Sequence, residues 1–195
     1  VAVFAENAAE TALAHLGGLF GGASTVPVDA HLRAEEAAHV LADSASRIAF
    51  VGPGTLERGT AAATRAGVPL VVAWGVARAG LPAGVVAWGD WLAAAPPGSP
   101  PDDVRPLPNL LYTSGTTGVP KGVELPPAMF AGGSTMTEHL EGLRSNRFAP
   151  YGMHLVAGPL HHTGPLQAVR LLAVGVPITI PGRFDPERVL ATIER

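Results

Sequence analysis

The sequence contains no cysteine, which excludes a disulfide framework, a thiolate-bound metal and a cysteine nucleophile together. Charge is scarce as well. Only 15% of residues are Asp, Glu, Lys or Arg and the formal net charge is -3, so no basic field exists to hold a polyanion and nucleic acid is not an expected partner. No apolar run reaches the roughly 18 residues of a membrane span. The most apolar stretch, 67–88, is broken by Pro69, Arg78 and Pro82, so no transmembrane segment is expected. The opening Val1-Ala2-Val3-Phe4 has neither a basic leader nor a cleavage site and reads directly as a strand, as if the chain began inside a domain. A soluble protein is expected. A reducing compartment is compatible with the missing cysteines, and a cytoplasmic location is the expectation.

What is present points to a packed α/β domain. With 195 residues of which 47% are hydrophobic, the chain can bury about 70% of its unfolded surface. Gly 24 and Pro 19 are many, but they show no period, and they read as turns between short elements. Over residues 1–74, short apolar runs alternate with segments of helical period, the pattern of βαβ units and a largely parallel sheet with flanking helices. Strands are expected at 1–4, 24–28, 47–51 and 69–74. Helices are expected at 6–16, closed by Gly17-Gly18, at 32–44, and at 55–66 with Thr55 as N-cap.

The proline-rich stretch 96–108 reads as a linker between a first βα subdomain, 1–95, and a second unit, 109–195. In the second unit strands are expected at 109–113, 154–157 and 176–180, and helices at 128–143, 164–174 and 185–195, the last opened by Asp185-Pro186. That helix runs to the end of the sequence, so the chain reads as truncated there.

Directly after the apolar strand at 109–113 comes Thr113-Ser114-Gly115-Thr116-Thr117-Gly118-Val119-Pro120-Lys121, with four hydroxyls, two glycines and a lysine in nine positions. Backbone amides freed by glycine, hydroxyl donors and a compact ammonium can together surround phosphate oxygens. On composition alone a Ser/Thr/Gly-rich surface turn is the competing reading. The pattern is not Gly-x-x-x-x-Gly-Lys-Ser/Thr, since Gly122 and Val123 follow the lysine, and it lacks the first glycine of the dinucleotide fingerprint.

The eleven residues Tyr112 to Gly122, Tyr-Thr-Ser-Gly-Thr-Thr-Gly-Val-Pro-Lys-Gly, resemble the phosphate loop of the adenylate-forming (AMP-binding) superfamily, of the acyl-CoA synthetase or fatty-acid CoA ligase type. The opening 1–10, the stretch 22–29 leading into Ala34-Glu35-Glu36, and Gly158-Pro159-Leu160-His161-His162-Thr163-Gly164 are similar to other parts of that family's N-terminal domain, in the family's order. The resemblance implies that Thr113, Ser114, Gly115, Thr116, Thr117, Gly118 and Lys121 bind ATP phosphates. It places His162, with His161, Thr163 and Gly164, beside the acyl substrate. ATP, Mg2+ and CoA are the implied cofactors and co-substrates, and a carboxylic acid, ATP and CoA the implied small-molecule partners. Assembly into a homo-oligomer is left open.

Leu160, Leu166, Leu171 and Leu172 make an apolar setting near His162 that favours a fatty or lipid-like acid, although a leucine-rich helix is also ordinary core. A shared metal site at His154, His161 and His162 is not expected, because neighbours on a strand point to opposite faces. The family pattern is departed from at Glu124-Leu125-Pro126-Pro127, which puts the start of the next helix in doubt. The sequence stops before the family's adenine, ribose and adenylation-lysine motifs, so no catalytic side chain is assigned and the fragment alone is expected to be inactive. A non-catalytic nucleotide- or acyl-binding or structural subdomain is the alternative. A nicotinamide-dependent dehydrogenase is a second rival, disfavoured by the missing fingerprint.

Overall fold

The computed structural model describes residues 1–101, 103–113, 120–125, 132–150 and 152–194. Its first part is a sheet of five parallel strands in the order β2-β1-β3-β4-β5. The strands are β1 (Ala2–Phe4), β2 (Val26–Val28), β3 (Ile48–Val51), β4 (Leu70–Ala73) and β5 (Val85–Ala87). Helices α1 (Ala9–Phe20), α2 (Ala34–Asp43), α3 (Leu56–Ala66) and α4 (Trp88–Ala93) connect or follow them.

Strands buried on both faces need apolar residues at every position, and alternate residues serve different cores. Ala2, Phe4, Val26, Val28, Ala49 and Val51 face α2 and α3. Val3, Ala5, Phe50, Val72 and Trp74 face the other way, with Ala14 of α1 and the rings of Trp88 and Trp91. Those rings meet edge to face, Phe50 lying 5.2 Å from Trp91 and 5.6 Å from Trp88. The alternation anticipated β1 to β4. It did not anticipate β5 or α4, which begins at Trp88 with no glycine or side-chain cap to announce it.

Helix α1 corrects one reading. Gly17-Gly18 does not close it; the helix runs to Phe20 and ends at Gly21, followed by Gly22 at φ 66. A Cβ on Gly18 would lie 2.2 Å from the Thr25 methyl, so this glycine lets α1 approach the start of β2 rather than stopping the helix. Thr55 precedes α3 as expected, but its hydroxyl caps nothing in that helix. It donates to the Phe4 carbonyl at 2.5 Å and ties α3 to β1.

After the proline-rich stretch come an antiparallel pair, β6 (Leu110–Thr113) with β7 (Lys121–Glu124), and a parallel pair, β8 (His154–Leu155) with β9 (Ile178–Thr179). Helices α5 (Met136–Arg144), α6 (Thr163–Leu172) and α7 (Pro186–Ile193) complete the chain. The helix expected from 128 begins at Met136, while 126–131 lie outside the described residues. Thr135 and Glu138 set that start reciprocally: Glu138 N donates to the Thr135 hydroxyl, and the Glu138 carboxylate accepts from Ser134 N. Asp185 caps α7 by accepting from Arg188 N at 2.9 Å, with Pro186 in the first turn.

Side chains from both sides of the proline-rich stretch share one core, in which Ala12, Leu16 and Leu19 of α1 pack with Met136, Val156, Leu160 and Val169. A buried polar chain crosses the same boundary. Arg170 donates to Asn109, Asn109 donates to the Thr25 hydroxyl, and that hydroxyl lies 3.0 Å from His15 Nδ1. Among the described residues no helix is long and apolar enough to cross a membrane.

Candidate active site

Of the seven residues expected to hold phosphate, Thr113 and Lys121 are described, while Ser114, Gly115, Thr116, Thr117 and Gly118 lie outside the described residues. Thr113 and Lys121 are the last pair of the β6–β7 ladder. Cross-strand partners send their side chains to the same face, so hydroxyl and ammonium share one face at the loop end of the hairpin, and both residues are exposed. Strand β7 was not anticipated, since Lys-Gly-Val-Glu has only one apolar residue. β6 supplies its partner and is itself fastened to the main sheet, Leu110 N donating to the Thr25 carbonyl at 3.0 Å.

His161 and His162 occupy a turn, not a strand, so the opposite-face argument does not apply to them. Their rings pack 4.3 Å apart, centroid to centroid. His162 is the N-cap residue of α6 but makes no side-chain cap, so its exposed imidazole is left available to a ligand. His161 is half-buried, with Nε2 3.6 Å from an Asp29 carboxylate oxygen that also accepts from His31 N and from its ring Nδ1, each at 2.9 Å. Burial pushes the His161 imidazole below its usual range against the pull of Asp29, leaving it neutral at physiological pH. Partial burial opposes ionisation of Asp29, yet the His31 hydrogen bonds and the nearby His161 hold its carboxyl below the ordinary value.

Asn7, which sequence reasoning missed, fixes this turn. Its amide donates to the Gly158 carbonyl at 2.8 Å, and its carbonyl oxygen accepts from Leu160 N at 2.8 Å. The available signal was position: Asn7 follows β1 at the carboxyl end of a parallel sheet, where sites in such folds assemble.

The turn stands between two open clefts. One, of about 700 Å³, is mainly apolar and includes Phe148, Met153, Val156, Gly164 and Pro165. The other, of about 680 Å³, is also mainly apolar in surface but includes the polar side chains of Glu6, Asn7, His31, His161 and Arg183. Of the leucines expected to form the acyl setting, Leu160, Leu166 and Leu171 are core residues, 2%, 3% and 0% exposed, while Leu172 is half-buried against that core. Only Leu171 borders the apolar cleft.

The family model described as AMP-binding enzyme matches residues 1–195. The chain belongs to that family. It is 35% identical over 178 residues to a feruloyl-CoA synthase of an Amycolatopsis species, covering 89% of this chain and 32% of that protein. It is 32% identical over 189 residues to a sulfoacetate–CoA ligase of Cupriavidus necator, covering 95% and 35%. Among solved structures, ATP-bound MatB from Rhodopseudomonas palustris superposes with a TM-score of 0.69 at 25% identity, over 100% of this chain and 37% of that one. The chain thus spans about a third of the length of the curated relatives it matches.

Within this AMP-binding chain the dehydrogenase rival loses ground on geometry as well as on motif. A doubly wound sheet binds dinucleotides where its strand order reverses, here between β1 and β3. Glu6 stands in that crevice. Its carboxylate accepts from Gly54 N at 3.0 Å and lies 2.6 Å from where a Cβ on Gly52 would be, so a carboxylate meets any phosphate there.

Proposed function

We propose that this chain is the phosphate-loop portion of an ATP-dependent acid–thiol ligase. In the proposed reaction a carboxylate oxygen attacks the α-phosphorus of ATP, pyrophosphate leaves with the bridging oxygen, and the acyl-adenylate forms. The sulfur of CoA then attacks the acyl carbon, AMP departs, and the thiol proton passes to solvent or a base. The observation carrying this reading is the pairing of Thr113 with Lys121 at the loop end of a hairpin whose sequence from Tyr112 to Gly122, eleven residues, resembles the family's phosphate loop. Hydroxyls, amides and one ammonium supply what departing pyrophosphate needs, electrostatic stabilisation and position without covalent chemistry.

For the acid, the adjacent imidazoles of His161 and His162 offer hydrogen bonds toward a carboxylate, and the adjoining apolar cleft offers room for a hydrophobic body. A fatty or other lipid-like acid fits that cleft, as would an aryl acid. Magnesium enters only as the ion that ATP brings. Among the described residues no three His, Asp or Glu side chains are grouped to hold a cation, and no step is routed through it. The 195 residues by themselves are proposed to bind without turnover, and acyl-CoA formation by them alone would contradict that.

The test is acid-dependent exchange of labelled pyrophosphate into ATP by the complete protein. Replacing Lys121 by alanine should lower kcat/KM for ATP by about ten- to a hundredfold, the loss of one or two charge-assisted hydrogen bonds. Unchanged exchange after Lys121→Ala combined with Thr116→Ala and Thr117→Ala would end the proposal.

A further inference from the structure

Both stems of the phosphate hairpin are tied to one helix outside it. His39 Nε2 donates to the Pro120 carbonyl at 3.0 Å, immediately before Lys121. The Tyr112 hydroxyl donates to Asp43 Oδ2 at 2.6 Å, immediately before Thr113. His39 and Asp43 are four apart on α2 and therefore share its face, one turn separating the two grips.

The opposite face of α2 is fixed independently, because Ala37, Ala38, Val40 and Leu41 are buried against the parallel sheet. α2 is thus a rigid bar between the sheet and the hairpin. Gly122, the ladder partner of Tyr112, leaves room for the arrangement: a Cβ there would lie 3.3 Å from the Tyr112 ring carbon and oxygen. Burial, followed by the hydrogen bond and charge of Asp43, pushes the Tyr112 phenol above its ordinary range, so it remains a donor throughout the working pH range.

We propose that α2 is the positioning element of the phosphate loop, with His39 and Asp43 setting, through Pro120 and Tyr112, where Lys121 and Thr113 stand. This rests on the ligase reading above. The hairpin needs such bracing because β7 is exposed along its whole length and has no apolar face to seat it. Neither His39 nor Asp43 touches the substrates; each acts by aiming residues that do.

The experiment measures KM for ATP and KM for the acid separately, on the complete protein. His39→Leu and Asp43→Ala should each raise KM for ATP about three- to tenfold, the value of one hydrogen bond, and leave KM for the acid unchanged. His39→Gln keeps an amide donor and Asp43→Asn keeps a carbonyl acceptor, and both should recover most of the loss. Tyr112→Phe removes one oxygen while keeping the ring on Gly122; it should match Asp43→Ala, serve if that variant does not fold, and add nothing when combined with it. The inference fails if Lys121→Ala raises KM for ATP while the α2 variants do not, or if the conservative variants are as damaging as the disruptive ones. It also fails if both KM values rise together. If Lys121→Ala itself leaves kcat/KM for ATP unmoved, the ligase reading falls and the inference falls with it.

Discussion

Strands β1, β3 and β4 are buried along nearly their whole length, whereas every residue of β7 is exposed and β6 is no more than half-buried. The first set is held by apolar burial on two faces. The second is held by Leu110 and Tyr112 of β6, which pack against the edge of that core, and by hydrogen bonds that reach back to it: Leu110 N to Thr25, Tyr112 to Asp43, and His39 to Pro120. Burial is non-directional and tolerant, while a hydrogen bond fixes distance and angle. An element proposed to present hydroxyls and an ammonium to a solvated polyphosphate cannot bury its own faces. It borrows rigidity from a sheet that can.

The contrast is sharpest in a pair of truncations. Phe4 is wholly buried at the centre of the sheet, and Phe4→Ala should cost about 3–5 kcal/mol in urea unfolding. Val123, 44% exposed on β7, should cost no more than about 0.5 kcal/mol when cut to alanine. Comparable losses at the two positions would show that β7 too is seated by packing, and the contrast between the two strand sets would be lost.

The same contrast decides what was legible in the sequence. β1 to β4 were readable because a strand buried on both faces must be apolar at consecutive positions, and the chain has few other reasons to write Val-Ala-Val-Phe or Ile-Ala-Phe-Val. The loop after β6 stood out by its motif, yet β7 did not, because Lys-Gly-Val-Glu takes its shape from a partner strand. Gly17-Gly18 misled, since glycine permits both a helix stop and a close approach, and only the Thr25 methyl tells which. His161 and His162 were found as a pair, but the opposite-face rule belongs to strands and they lie in a turn. His39 and Asp43 carried no local signal, and Asn7 only its position after β1; their partners are 69 to 153 residues away.

His15 tests the polar seam between the two regions by pH. It is fully buried, and burial first, then the charge of Arg170, lower its pKa from 6.5 to about 3. The folded chain therefore keeps His15 neutral while the unfolded chain takes up a proton below pH 6.5. The stability this neutral ring contributes is complete above 6.5 and declines as pH falls toward 3, by up to about 1.4 kcal/mol per pH unit. A His15→Gln variant, which does not titrate, should therefore gain about 2 kcal/mol relative to the natural protein between pH 6.5 and pH 5. A difference that does not change with pH would mean that His15 is protonated, or exposed, in the folded state.

Asn7 supplies the smallest and most local test. Its amide is the only side chain among the described residues that satisfies both the Gly158 carbonyl and the Leu160 amide, so Asn7→Ala leaves two backbone groups to find water or each other. The expected cost is about 1–2 kcal/mol. Asp at this position still accepts from Leu160 N but turns a carboxylate oxygen toward the Gly158 carbonyl, and it should be no better than Ala. Because the turn ends in His161 and His162, loosening it should also raise KM for the acid while leaving KM for ATP unchanged, the reverse of the pattern expected from the α2 variants. If Asn7→Ala weakened ATP and acid equally, the two polar anchors would not be separate devices, and the hairpin and the histidine turn would have to be treated as one body.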